Sequence, residues 1–186
     1  QRIATEAMKI AALQMVSTPR VEHNLATAGR LIAQAADAGA RWVVLPEYFC
    51  LMGHSDRDKL AIAEVAGAGP IQDMLSGAAR RHGVWVIGGT LPIRCDDPEH
   101  VFNACCVYAP DGTMAARYDK IHLFCFDNGR ERYDEGRVLR AGSEPVAVSG
   151  SADGDIAALR VGLSICYDLR FPELYRALMT MPGQPP

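Results

Sequence analysis

The stretch Met8-Lys9-Ile10-Ala11-Ala12-Leu13-Gln14-Met15 is short and apolar, and it leads into Val21 to Ala38 and then Trp42-Val43-Val44-Leu45. The first run reads as a buried strand. In the second, Leu25, Ala28, Leu31, Ile32, Ala35 and Ala36 recur at helical spacing until Gly39 ends the pattern. The third is β-branched and apolar, and Pro46 cuts it off. Strand, helix, strand in that order is the βαβ unit of an α/β fold.

The same reading extends along the chain. Asp58 to Val65 and Ile71 to His82 read as helices, with Gly83 as the residue that ends the second. Val84 to Leu91 reads as a strand. Val101 to Tyr108 and Thr113 to Tyr118 flank the turn Pro110-Asp111-Gly112, which predicts a hairpin. Asp119 to Gly142 is a charged, polar stretch whose length marks either a functional loop or disorder. Asp155 to Ile165 alternates as a strand, and a helix opens near Phe171. Trp42 and Trp85 are expected in the core. Cys105 and Cys106 are adjacent on a strand, so they point to opposite faces and at least one is expected in the core.

The 186 residues are 49% hydrophobic and 22% charged, which fits one globular domain and excludes a disordered or collagen-like chain. The net charge of −3 argues against a nucleic-acid partner, because phosphate binding needs a basic face. No apolar run approaches the length of a membrane span. The six cysteines form no Cys-x-x-Cys pair, so the expectation is free thiols in a reducing cytoplasm. The five histidines show no metal-ligand spacing, and no metal or other cofactor is expected. Residues 1–7 are expected to be an upstream tail and 8–180 a single partial domain. Residues 181–186 (Met181-Pro-Gly-Gln-Pro-Pro186) are expected to be a tail foreign to it.

Three reactive residues share one context. Glu47, Lys120 and Cys166 each stand just past a strand-like run. Ligands of open α/β sheets bind beyond the carboxyl ends of strands, so the three can converge. A thiol is a nucleophile once deprotonated, a nearby carboxylate can take its proton, and an ammonium can stabilise the oxyanion. Taken singly, each has an ordinary explanation: core packing for the cysteine, a solvated surface charge for the other two. Gly162-Leu-Ser164-Ile-Cys166 lacks the last glycine of a serine-hydrolase elbow, and no histidine follows it. His122 reads as a supporting histidine rather than a partner of Cys166. Gly88-Gly89-Thr90 lacks the lysine of a phosphate loop.

Three blocks carry a specific resemblance: Leu45-Pro46-Glu47-Tyr48-Phe49, Tyr118-Asp119-Lys120-Ile121-His122-Leu123-Phe124, and Gly162-Leu163-Ser164-Ile165-Cys166-Tyr167-Asp168-Leu169-Arg170-Phe171-Pro172-Glu173-Leu174. In order and spacing they resemble the signature blocks of the nitrilase, or carbon–nitrogen hydrolase, superfamily. The resemblance runs from about Met8 to Leu178. It implies a four-layer α-β-β-α sandwich, incomplete at the C-terminus. It also implies Glu47 as base, Lys120 as oxyanion stabiliser and Cys166 as nucleophile. Arg132-Tyr-Asp-Glu135-Gly resembles the block of the family's second glutamate, which assigns that role to Glu135. Tyr48, Tyr167 and Arg170 fall in the substrate and oxyanion region, where Arg170 either pairs with Asp168 or meets a substrate carboxylate.

Cys166 to Tyr175 and Lys120 to Phe124 are most similar to the omega-amidase and deaminated glutathione amidase branch. The implied reaction is release of ammonia from a small ω-amide through a cysteine thioester, with water as co-substrate and a homo-oligomer at full length. Nitrile hydrolysis, carbamoyl removal and acyl transfer use the same triad. Family members run well beyond 186 residues. The alternative is therefore a non-catalytic fragment or binding module, poorly folded or inactive.

Overall fold

The computed structural model describes residues 8–150 and 159–181. The expected tail at 1–7, the first part of the strand expected from Asp155, and residues 182–186 lie outside the described residues. In chain order the elements are β1 (Ile10–Ala12), α1 (Val21–Asp37), β2 (Trp42–Val44), α2 (Asp58–Ala61), α3 (Pro70–His82), β3 (Trp85–Ile87), β4 (Leu91–Arg94), β5 (Val101–Tyr108) and β6 (Met114–Asp119). There follow β7 (Cys125–Asp127), β8 (Arg132–Asp134), β9 (Leu139–Arg140), β10 (Ala147–Gly150), β11 (Leu159–Gly162) and α4 (Pro172–Thr180).

The βαβ unit forms as the pattern requires. β1, β2 and β3 pair in parallel, and β3 pairs antiparallel with β5. α1 buries Ala28, Ile32 and Ala35, the stripe seen in the sequence, and it ends at Gly39 with φ +85°. α3 ends at Gly83, whose left-handed backbone (φ +62°) lets its N–H bond back to Ala79. Both helices lie on one face of the sheet, against Val43, Val86, Ala104 and Cys106. The opposite face carries Trp42, Trp85, Cys105 and Val107. Both adjacent cysteines are thus core residues, one on each face. Trp42 and Trp85 stack at 4.6 Å.

The second face is covered by the antiparallel pair β10–β11. A Cβ at Gly150 of β10 would stand 2.3 Å from the Trp85 ring, so that strand lies directly on the tryptophan stack. Gly162 of β11 points the other way, and a Cβ there would stand 2.9 Å from Leu178 of α4. The order is therefore α1 and α3, the large sheet, β10–β11, then α4. This is the expected α-β-β-α layering.

Three elements differ from the sequence reading. The helix expected over Asp58 to Val65 stops at Ala61. Glu64 instead bridges Ile93, and its buried carboxylate accepts the Ile71 N–H (2.6 Å) and Gln72 N–H (3.1 Å) at the start of α3. The strand expected over Val84 to Leu91 is broken at Gly88-Gly89-Thr90 into β3 and β4, which pair with the same edge of β5. The expected long loop Asp119 to Gly142 holds real structure: the hairpin β7–β8, a 3-10 turn at Glu135–Arg137, and β9 paired to β5.

Candidate active site

Glu47 lies just beyond β2 and Lys120 just beyond β6, at the carboxyl ends of strands that run the same way. The turn that presents Glu47 has Tyr48 at φ +55°, a left-handed conformation that costs a non-glycine residue about 1–2 kcal/mol. The break between β3 and β4 accommodates this turn. A Cβ at Gly89 (φ +54°) would stand 2.1 Å from the Pro46 carbonyl oxygen, so only glycine fits. The Thr90 hydroxyl accepts the Tyr48 N–H at 2.8 Å.

Lys120 has no exposed side-chain surface. Its Nζ lies 3.2 Å from Glu47 Oε1 and 2.9 Å from Glu135 Oε2. Burial pulls its pKa down, but the two carboxylates outweigh burial and hold it above the usual lysine value. The ammonium is therefore charged. Its main chain is pinned as well, since its N–H bonds Asn103 O at 3.0 Å and its C=O accepts the Gly142 N–H at 2.9 Å.

Glu135 opens the turn after β8. Its carboxylate takes Lys120 Nζ, the Phe124 N–H (2.7 Å) and the Tyr48 hydroxyl (3.3 Å). Burial, then the Glu135 and Glu47 charges, push the Tyr48 phenol above its ordinary range, so it stays a donor. On Glu47, Oε1 also accepts from Asn103 Nδ2 at 2.8 Å. The Asn103 Oδ1 is buried without a partner among the described residues.

Cys166 begins a 3-10 turn, Cys166–Arg170, with φ +47°. Its thiol is exposed, and the Glu47, Lys120 and Glu135 charges act on it. Burial of the sulfur raises the thiol pKa, and the Glu47 charge raises it further. Lys120 offsets part of this. The resting sulfur is therefore a neutral thiol. Such a set can deliver a thiolate to an electrophilic carbon and hold the resulting oxyanion beside an ammonium.

The structure thus brings together Glu47, Lys120, Glu135, Cys166 and Tyr48. Tyr167 packs edge-on between Phe124 and Phe171, with ring centroids at 5.2 and 5.4 Å. Arg170 does not pair with Asp168. It is exposed, and the buried Asp168 carboxylate is taken by Tyr118, His122 and the Ile165 N–H. His122 turns its Nδ1 to Asp168 at 2.7 Å and stacks on Phe171, so it supports the site rather than pairing with the thiol. Sequence reasoning missed Asp168, Asn103, Gly89 and Thr90. Gly89 alone left a signal, a Gly-Gly pair interrupting a strand pattern.

The family model for carbon-nitrogen hydrolases matches residues 9–184, and the chain belongs to that family. Among particular relatives, it is 36% identical over 165 residues to the chloroplastic omega-amidase of Arabidopsis thaliana, covering 87% of this chain and 42% of the relative. It is 36% identical over 171 residues to a deaminated glutathione amidase of Synechocystis, covering 90% of this chain and 60% of that one. A solved structure of an amidase variant from Nesterenkonia sp. AN1, with acrylamide added at the active site cysteine, superposes with a TM-score of 0.73. Identity is 26%, with 92% of this chain and 62% of that chain covered. The chain spans about half the length of the curated relatives it matches.

Proposed function

We propose that this chain carries the catalytic centre of an amidase that releases ammonia from a small ω-amide bearing a carboxylate. The observation that carries the reading is the Lys120 ammonium held between Glu47 and Glu135, with the exposed Cys166 thiol within reach of their charges. Glu47 takes the thiol proton as the sulfur–carbon bond forms, and the carbonyl electrons move to oxygen. Lys120 stabilises that oxyanion. The tetrahedral species collapses, the carbon–nitrogen bond breaks, and Glu47 returns the proton to the leaving ammonia. Water then attacks the thioester carbonyl and gives a proton to Glu47; the carbon–sulfur bond breaks, Glu47 returns that proton to the sulfur, and the acid product leaves.

Glu135 orients Lys120 and keeps it protonated. Tyr48 in turn fixes Glu135. The Phe124, Tyr167 and Phe171 rings form an apolar wall next to the nucleophile, which limits water around the thioester. Arg170 is exposed and makes no ion pair among the described residues, so it is available to a substrate carboxylate. The relatives named omega-amidase and deaminated glutathione amidase support the ω-amide class. All six cysteines are free, in keeping with a reducing compartment such as the cytoplasm. Exposed Leu169 and Met179 offer apolar surface for a second copy of the chain.

The test is ammonia release from a panel of small ω-amides, with Cys166→Ala beside the parent. Loss of release in the variant supports the reading, and an unchanged rate refutes it.

A further inference from the structure

Asp168 has no exposed surface, and no lysine or arginine pairs with it among the described residues. A carboxylate in that position must be satisfied by hydrogen bonds alone. Four donors meet it. Oδ2 accepts the Tyr118 hydroxyl at 2.6 Å and the Ile165 N–H at 2.9 Å. Oδ1 accepts the His122 N–H at 2.9 Å and faces His122 Nδ1 at 2.7 Å. A carboxylate only accepts, so Nδ1 is the protonated nitrogen.

The donors come from three pieces of chain. Tyr118 belongs to β6, His122 stands two residues beyond Lys120, and Ile165 immediately precedes Cys166. The Asp168 N–H also returns a bond to the Ile165 carbonyl at 3.1 Å. Cys166 therefore sits inside a ring closed at both ends by Ile165 and Asp168. That ring encloses the left-handed backbone at Cys166, a conformation that a non-glycine residue keeps only when its surroundings impose it.

We propose that Asp168 is a positioning residue for the nucleophile: its carboxylate holds the Cys166 turn in the left-handed conformation and locks it to the segment that carries Lys120. Without it the turn relaxes, and the thiol shifts relative to the Glu47, Lys120 and Glu135 charges that act on it. Asp168 touches no reacting atom and acts through Cys166. The kinetic consequence rests on the amidase reading, but the geometric claim does not.

The test is the pH profile of Cys166 alkylation by iodoacetamide, in which the Sγ–carbon bond forms and iodide leaves. It is run on the 186-residue chain in a Cys125→Ser background, which removes the other exposed thiol, with the labelled peptide located by mass spectrometry. The charged groups that bear on Cys166 are Glu47, Lys120 and Glu135. The parent is expected to titrate above the usual cysteine value. Asp168→Asn is expected to lower the midpoint by about half a pH unit or more, toward about 8.5. Val86→Ala, a core truncation on the far face of the sheet, is expected to lower stability without moving the midpoint. If Asp168→Asn does not fold, Tyr118→Phe removes the shortest of the four bonds and is expected to shift the midpoint in the same direction by less. A parent-like midpoint in the folded Asp168 variant, or an equal shift in Val86→Ala, overturns the proposal. Glu47→Gln separates the two readings. If its midpoint matches the parent, the Glu47–Cys166 coupling behind the amidase reading fails. A parent without ammonia release but with an Asp168-dependent midpoint refutes the amidase reading and leaves the positioning role standing.

Discussion

Lys120 Nζ lies 3.2 Å from Glu47 Oε1 with none of the lysine side chain exposed, while the two carboxylates that neutralise it keep roughly a fifth to a quarter of their side-chain surface in solvent. A cation buried against half-open anions faces outward through them. This joins the stability of the sheet end to the charge of the site.

Lys120→Met tests that link. The substitution leaves Glu47 and Glu135 facing each other without a cation. Removing one partner from a buried pair costs about 3 kcal/mol, and losing an oxyanion donor costs roughly 10²-fold or more in kcat. Urea unfolding and ammonia release measure the two losses, and both are expected together.

Gly89→Ala is expected to damage the site from a distance. The added methyl would meet the Pro46 carbonyl at 2.1 Å, at a backbone angle that favours glycine. A stability loss of about 3 kcal/mol is expected from the clash and strain combined. The turn carrying Glu47 must shift to relieve it, so the Glu47 charge moves relative to Cys166 too. A thermal melt and the Cys166 alkylation profile report both effects.

Asn103→Leu separates stability from activity. Asn103 gives Glu47 one hydrogen bond, and its own Oδ1 is buried and unmet among the described residues. Removing an orphaned polar atom offsets the lost bond, so stability is expected to stay within about 1 kcal/mol of the parent. Activity is expected to fall about tenfold, because Glu47 loses one of the two donors that orient it. A fall in both together would mark Asn103 as structural.

High pH is expected to destabilise the fold. Burial raises the Cys50 thiol to about 12, and burial raises Cys106 to about 12, against about 8.5 in an unfolded chain. The folded state binds these protons more tightly, so the stability they confer is intact below about pH 8.5 and is lost as pH rises toward 12. Urea midpoints measured at pH 7, 9 and 10.5 should fall in that order. A flat series contradicts the burial of these thiols.

The legible parts of the fold were those written in side-chain periodicity. The α1 stripe, the Gly83 stop and the alternating Cys105-Cys106 strand all formed as read. The grouping of Glu47, Lys120 and Cys166 was legible because each follows a strand-like run, whereas Glu135 was assigned by resemblance alone. What escaped was decided by backbone geometry. Nothing in the residue types Tyr48 and Cys166 announces a left-handed conformation. The division of β3 from β4 follows from the approach of Pro46, which only the packed turn creates. Asp168 looks like one more loop carboxylate until Tyr118, His122 and Ile165 are folded onto it.

The most direct measurement is intact-protein mass after a brief incubation with a small ω-amide, quenched in acid, with ammonia assayed in parallel. An amidase working through Cys166 releases ammonia and shows a mass increase equal to the acyl group, located on Cys166 and absent from Cys166→Ala. Ammonia released equally by parent and Cys166→Ala, or no ammonia and no adduct from the parent, would contradict it.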